Sequence, residues 1–309
     1  MGKKFFFVLN GFLGVIASTI YYFACTPLEF LFGKVVEGTK DGSLWAVNRP
    51  FLLEKSEKKW TILVYLRATV YVSSAVGSLL AGFLIVWFFF EGTLMLCTLA
   101  GGLVIPATLL LIGGRKKRFS IAKALDLLDF RKKEKVFKTF LILFFVMGLS
   151  FGFRSGYVFP LFLSSNDFDP KTVGILIGLQ ILLAGLFSYL FAKRFEIRKL
   201  LLVSGVLHTF TLLLLGFSTS LFAGVLVVVY GIVEGSLSIS QEGILSRIAT
   251  EGSYGTDIGL LMMGLHSGNT LSLALSGFLV PVWGFVAPFL MSALIFPVFF
   301  IGSYLILKE

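Results

Sequence analysis

Residues 220–248 read SLFAGVLVVVYGIVEGSLSISQEGILSRI, and this stretch decides the fold class of the chain. It exceeds the ~17 to 25 residues that an α-helix needs to cross the hydrocarbon of a bilayer. Its first fourteen residues carry no charge, yet Glu234 stands near the middle and Glu242 about two turns later. A charge at the centre of a spanning helix costs ~2.5 to 3.5 kcal/mol on insertion scales, so such residues mark an internal pair or a polar pathway. The stretch reads as a helix crossing a membrane in the company of others.

Nine further segments of comparable length flank it, at about 5–25, 28–50, 60–90, 93–113, 136–163, 171–192, 199–217, 255–280 and 285–307. The expected fold is therefore an all-α, polytopic membrane protein with about 10 transmembrane helices. Composition agrees: 57% of the 309 residues are hydrophobic, and charged residues make up 14% against roughly 25% in soluble domains. Short connections such as Ser218–Ser220 and Pro281–Gly284 predict antiparallel neighbours. The apolar run from Phe5 to Ala24 is too long for a signal-peptide core and reads as the first crossing.

The net charge of +10 is not spread over one face as a nucleic-acid surface would require. The basic residues sit in short runs between apolar segments, above all Arg115–Arg118 and Arg131–Lys138, which suits orientation and contact with the lipid bilayer. With the N-terminus inside the cell, Lys3, Lys4, Arg49, Lys55, Lys58, Lys59, the 115–138 cluster, Lys193, Arg194, Arg198, Lys199, Arg247 and Lys308 all fall on the inner side. Both termini are expected in the cytoplasm of a multi-pass protein of the cell (plasma) membrane. Cys25 and Cys97 lie in apolar context with no metal-ligand spacing, and no cofactor motif is present, so neither metal nor cofactor is expected. Nothing in the sequence assembles into an enzyme's catalytic set, and none is expected.

Charge also divides the chain. Residues 114–135 form a basic linker with an amphipathic piece at Ile121–Phe130, separating four segments in 1–113 from six in 136–309. The two parts share a repeat at an offset of 197: Val36-Glu37-Gly38-Thr39 falls on Val233-Glu234-Gly235-Ser236, and Glu54 on Glu251. After a two-residue gap, Gly82-Phe83-Leu84-Ile85 falls on Gly277-Phe278-Leu279-Val280. The four front segments are thus equivalent to the last four.

Two parallel six-helix halves joined by a charged loop are the layout of major facilitator superfamily (MFS) transporters, which the chain resembles from about Phe137 to Leu307. The loop Tyr189-Leu-Phe-Ala-Lys-Arg-Phe-Glu-Ile-Arg-Lys199 is similar to the family's G-x-x-x-D-R-x-G-R-K/R motif, with Arg194, Arg198 and Lys199 in place. It departs at Tyr189, Lys193 and Glu196. Met1-Gly2-Lys3-Lys4 resembles the end of the same loop in the first half, which implies an incomplete N-terminal bundle lacking the family's first two helices. The resemblance implies secondary transport of a small-molecule substrate by alternating access, with proton coupling an open option. The alternative is a transport-inactive remnant or a membrane interaction protein. Oligomeric state stays open.

In that layout the second, fifth and eighth segments line the central cavity, and most intramembrane charges fall on them. The expected pathway residues are Lys34, Glu37, Lys40, Asp41, Arg154, Glu234, Glu242 and His266. Glu37 and Glu234 are repeat mates and the first candidates for proton exchange, unless each is held by Arg154 or a lysine. Arg67 reads equally as a snorkelling residue and a binding one, and His208 as structural. The glycines at 148, 152 and 156 and at 174 and 178 imply close helix approach. Counted by residue, the pathway is nearly neutral, so the sequence does not choose the charge of the solute.

Overall fold

A computed structural model describes residues 3–111 and 133–307. The amphipathic piece at 121–130 and nearly all of the expected linker lie outside the described residues. Among the described residues ten helices follow one another: α1 (Lys3–Phe23), α2 (Pro27–Leu53), α3 (Lys59–Leu111), α4 (Lys135–Gly152), α5 (Val158–Ser164), α6 (Pro170–Arg194), α7 (Ile197–Gly216), α8 (Ser220–Ile248), α9 (Tyr254–Trp283) and α10 (Val286–Ile306). Eight are long and apolar enough to span a bilayer. The multi-pass membrane architecture expected from the apolar segments is the one observed.

One expected helix differs from the observed one, and two others join end to end in α3. The segments at 60–90 and 93–113 are two helices, the first and second arms of α3, which meet at a sharp kink at Phe89, where φ is 55° and ψ is −177°. At 53 residues, α3 would run to about 80 Å, far beyond a ~30 Å hydrocarbon core. It folds back instead. Lys4 Nζ donates to the Leu109 carbonyl at 2.7 Å, and Phe7 meets Phe51. Both far ends of α3 therefore lie at the end of the molecule that holds Lys4, Lys55, Arg194 and Arg247, called here the basic end.

The expected helix at 136–163 is two helices, α4 and α5, parted by a turn over 153–157. The cause is local. Pro160 has no N–H to offer the carbonyl of Gly156, and its ring clashes with that carbonyl in an unbroken helix. Gly156 takes φ +62°, open to glycine without strain, and the amides of Arg154 and Ser155 close back onto the Phe151 carbonyl. The turn leaves Arg154 facing the centre of the protein.

Elsewhere the ends follow ordinary capping chemistry. Thr26 and Glu29 form a reciprocal capping box before α2, and Asp169 accepts from the Thr172 amide before α6. Those hydrogen bonds hold the Asp169 carboxyl below its ordinary range.

The two repeated parts pack alike. α1 lies against α2 and the second arm of α3, with Gly11 facing Ile105; α7 lies against α8 and α10, with Gly205 facing Phe300. The core sits mainly in the last six crossings, where Phe140, Phe144, Met147, Leu212, Tyr230, Phe289 and Phe296 are fully buried. The parts meet chiefly along α3 and α6, where a Cβ on Gly174 would fall 2.7 Å from the Cα of Gly82. Gly148 and Gly152 bring α4 equally close to α9. Small residues let backbones approach where lipid offers no hydrophobic drive for association.

Candidate functional site

α8 carries Glu234, Ser238, Gln241 and Glu242 at intervals of four, three and one, which places them along one stripe of the helix. All four are buried. Three elements supply what faces them: the turn after α4 gives Arg154, the first arm of α3 gives Arg67 and Tyr71, and α2 gives Trp45 and Arg49. Each of the last two pairs is spaced i, i+4, so its members share a helix face.

The contacts form one chain along α8. Arg154 Nη1 donates to Glu234 Oε2 at 2.7 Å, and the Tyr71 hydroxyl donates to Glu234 Oε1 at 3.4 Å while also hydrogen-bonding Ser238. Nearer the basic end, Arg67 Nη2 donates to Gln241 Oε1 at 3.3 Å, with its Nε 3.8 Å from Glu242 Oε1. That last separation is an ion pair without a hydrogen bond. Arg49 docks on Glu242 with two donors, Nε to Oε2 at 2.8 Å and Nη2 to Oε1. Both side chains of this pair are 1% exposed.

Aromatic faces replace water around the guanidinium groups. Arg49 lies 3.8 Å from the Trp45 ring centroid, Arg67 5.3 Å from that of Tyr71, and Arg154 3.9 Å from that of Phe151. Tyr230 completes the surroundings of Arg154 at 5.0 Å and is itself held by His208 Nδ1 at 2.8 Å. His208 also meets Ser150, which is bonded to Ser292, so its role is to brace the wall behind Arg154. Weakly hydrated guanidinium suits such a place better than ammonium does.

Most of these contacts join the first part of the chain to the second. Arg49, Arg67 and Tyr71 precede the linker; Glu234, Ser238, Gln241 and Glu242 follow it. At the basic end Lys59 Nζ adds a further pair with Glu251 Oε2 at 3.7 Å. Lys133, near the end of the expected linker, is tied to Asp257 of the second part at 2.5 Å.

The expected pathway residues thus fall into two groups. Arg154, Glu234 and Glu242 come together around α8. Lys34, Glu37, Lys40 and Asp41 stand apart on α2: Lys34 pairs with Glu37 at 2.7 Å, Tyr21 donates to the same carboxylate at 2.8 Å, and Lys40 pairs with Asp41 at 3.3 Å. His266 on α9 has a buried Nε2 without a partner. Of the loop residues, Arg194 and Lys199 are exposed, and Arg198 lies over the Tyr304 ring at 4.4 Å.

Arg49, Tyr71 and Ser238 escaped the sequence reading, which leaves Arg67 between two roles. Arg49 was expected on the inner side, at the end of the 28–50 segment, as an orientation signal; α2 continues to Leu53, with Pro50 inside its last turn, and Arg49 reaches Glu242 on α8. The i, i+4 spacing of Trp45 and Arg49 was the available signal. Arg67 does not snorkel: its side chain is 11% exposed and faces α8.

A family model described as the Major Facilitator Superfamily matches residues 140–309. Among solved structures, the chain is similar to the human organic anion transporter MFSD10 (TETRAN), at 15% identity and a TM-score of 0.72, over 97% of this chain and 77% of that one. It is also similar to the E. coli fucose:proton symporter FucP, at 13% identity and a TM-score of 0.68, over 98% of this chain and 84% of that one. A structure of FucP in the outward conformation gives 13% identity and a TM-score of 0.70, over 98% and 83%. At these identities the likeness concerns the fold. No curated protein matches the chain.

Proposed function

We propose that this chain, which belongs to the Major Facilitator Superfamily, moves a small solute across a cell membrane by rocking its two parts about the α3–α6 contact. The observation that carries this reading is the buried Arg49–Glu242 pair, which fastens α2 to α8 across the two parts at the basic end. Opening a path at that end requires Arg49 to leave Glu242 and Lys59 to leave Glu251. The small residues along α3 and α6 supply a close, low-friction line about which the parts turn. The parts are taken as residues 1–113 and 136–309, joined by the basic linker at 114–135.

The bias of Lys and Arg supports a cytoplasmic basic end and cytoplasmic termini. In this arrangement the protein is closed towards the cytoplasm. The lipid bilayer and the solute are its partners.

Glu234 is the proposed site of proton exchange. It is the carboxylate nearest the middle of α8, and it holds Arg154 on one side and Tyr71 on the other. Protonation removes the charge that holds Arg154 and that the Tyr71 hydroxyl donates to, so a proton taken up at Glu234 weakens its contact with Tyr71, which joins the first part to the second. Glu37 is satisfied by Lys34 and Tyr21 away from that junction, which favours Glu234. Purified protein in liposomes is expected to show solute-dependent proton flux that Glu234→Gln abolishes. Correctly folded protein giving no flux across a broad solute panel would overturn the reading.

A further inference from the structure

The network around α8 holds three arginines and two glutamates, so among its described residues one positive charge has no fixed counter-ion. The surplus is not shared evenly. Arg49 gives its Nε and Nη2 edge to both oxygens of Glu242. Arg154 reaches Glu234 through Nη1 alone, and its Nε and Nη2, the same edge, are buried without partners. Arg154 is 2% exposed. An unpartnered guanidinium edge in so dry a place is costly unless an anion comes to it.

The structure therefore contains both the docked and the undocked form of one contact. Glu242 on Arg49 shows how an oxyanion sits on the Nε and Nη2 edge: two parallel N–H···O bonds to two oxygens of one group. The fork fits a carboxylate or a phosphoryl group. Phe151 and Tyr230 lie beside Arg154, and Ser155 and Asn269, in contact with each other at 3.5 Å, follow in the same region. Two aromatic rings suit the apolar body of an organic molecule better than the hydration shell of a small inorganic ion.

We propose that the solute is an organic anion, whose carboxylate or phosphoryl head docks on the Nε and Nη2 edge of Arg154 and whose apolar body lies against Phe151 and Tyr230. The proposal rests on the transport reading, since a solute reaches Arg154 only when the two parts separate. It supplies the missing counter-ion and gives the third arginine of the network a use.

Binding to the full chain in detergent tests this without any need for flux. The probes are benzoate, phenyl phosphate, neutral benzamide and cationic benzylamine, and the readout is the thermal unfolding midpoint as a function of probe concentration. At least one of the two anions is expected to raise the midpoint saturably, and their comparison tells a carboxylate site from a phosphoryl site. Benzamide and benzylamine are expected to leave it unchanged. Arg154→Gln is expected to weaken the anion by about tenfold or more, the scale of a lost charge-assisted hydrogen-bond pair. Arg154→Lys keeps the charge and loses the fork, so it is expected to weaken binding too, and it carries the test if Arg154→Gln does not fold.

Failure of both anions to bind, equal binding of benzamide, or unchanged anion binding in the Arg154 variants would overturn the proposal. The two readings fail separately. Anion binding that depends on Arg154 with no flux in liposomes keeps the docking site and rejects transport. Flux of a neutral or cationic solute with no anion binding rejects the docking site alone.

Discussion

Glu37 and Glu234 occupy equivalent positions of the internal repeat, on α2 and α8, and meet opposite fates. Glu37 pairs with a lysine three residues away on its own helix, and its side chain is 32% exposed. Glu234 pairs with an arginine eighty residues away, and its side chain is 8% exposed. The difference lies in what surrounds the helices. Most of α8, from Ala223 to Leu245, is buried within the protein, whereas the charged stretch of α2 leaves Lys34 71% exposed. A repeat in sequence carries a carboxylate to the same place on the helix, but only packing by other helices turns it into a link between distant parts of the chain.

The comparison predicts unequal costs of removal. Arg49→Ala has the largest expected effect, a loss of ~3 to 5 kcal/mol, because it leaves Glu242 buried with Arg67 as its remaining cation. Thermal or denaturant unfolding in detergent measures it. The double variant Arg49→Ala with Glu242→Ala should be more stable than Arg49→Ala alone, since removing both partners leaves no orphaned carboxylate. A double variant as unstable as the sum of the two single ones would break the account of the pair as mutually compensating charges.

At the small end stands Glu37→Gln. A half-exposed pair on one helix is worth ~0 to 1 kcal/mol, so the unfolding midpoint should scarcely move. Liposome flux should stay within about twofold of the parent for the same reason: Glu37 touches no residue of the α8 network. A loss of flux as complete as that expected for Glu234→Gln would show that the two repeat mates are functionally equal despite their surroundings.

Much of the fold was legible because its signal is local. Apolar runs of bilayer length, the basic segment near residue 115 and the repeated Glu-Gly pair can each be read without knowing what packs where. The break after α4 was half legible: Pro160 was in plain view, but Gly156 reads as a packing glycine until its carbonyl is seen to be the one that Pro160 displaces. The site was less legible still. Glu234, Glu242 and Arg154 stand out as charges in apolar surroundings. Arg49 does not, because it stands at the end of its apolar segment, where a basic residue looks like an orientation signal. Its partner is 193 residues away, a distance only the fold closes.

Transport as proposed requires the basic end to open for the solute to pass. Lys59 and Glu251 face each other there at 3.7 Å, on opposite parts of the chain. In a background carrying Cys25→Ser and Cys97→Ser, Lys59→Cys with Glu251→Cys can be joined by a short reducible thiol cross-linker after reconstitution. Solute flux is expected to fall to background on cross-linking and to return on reduction. Flux that continues with the two residues joined would contradict that requirement.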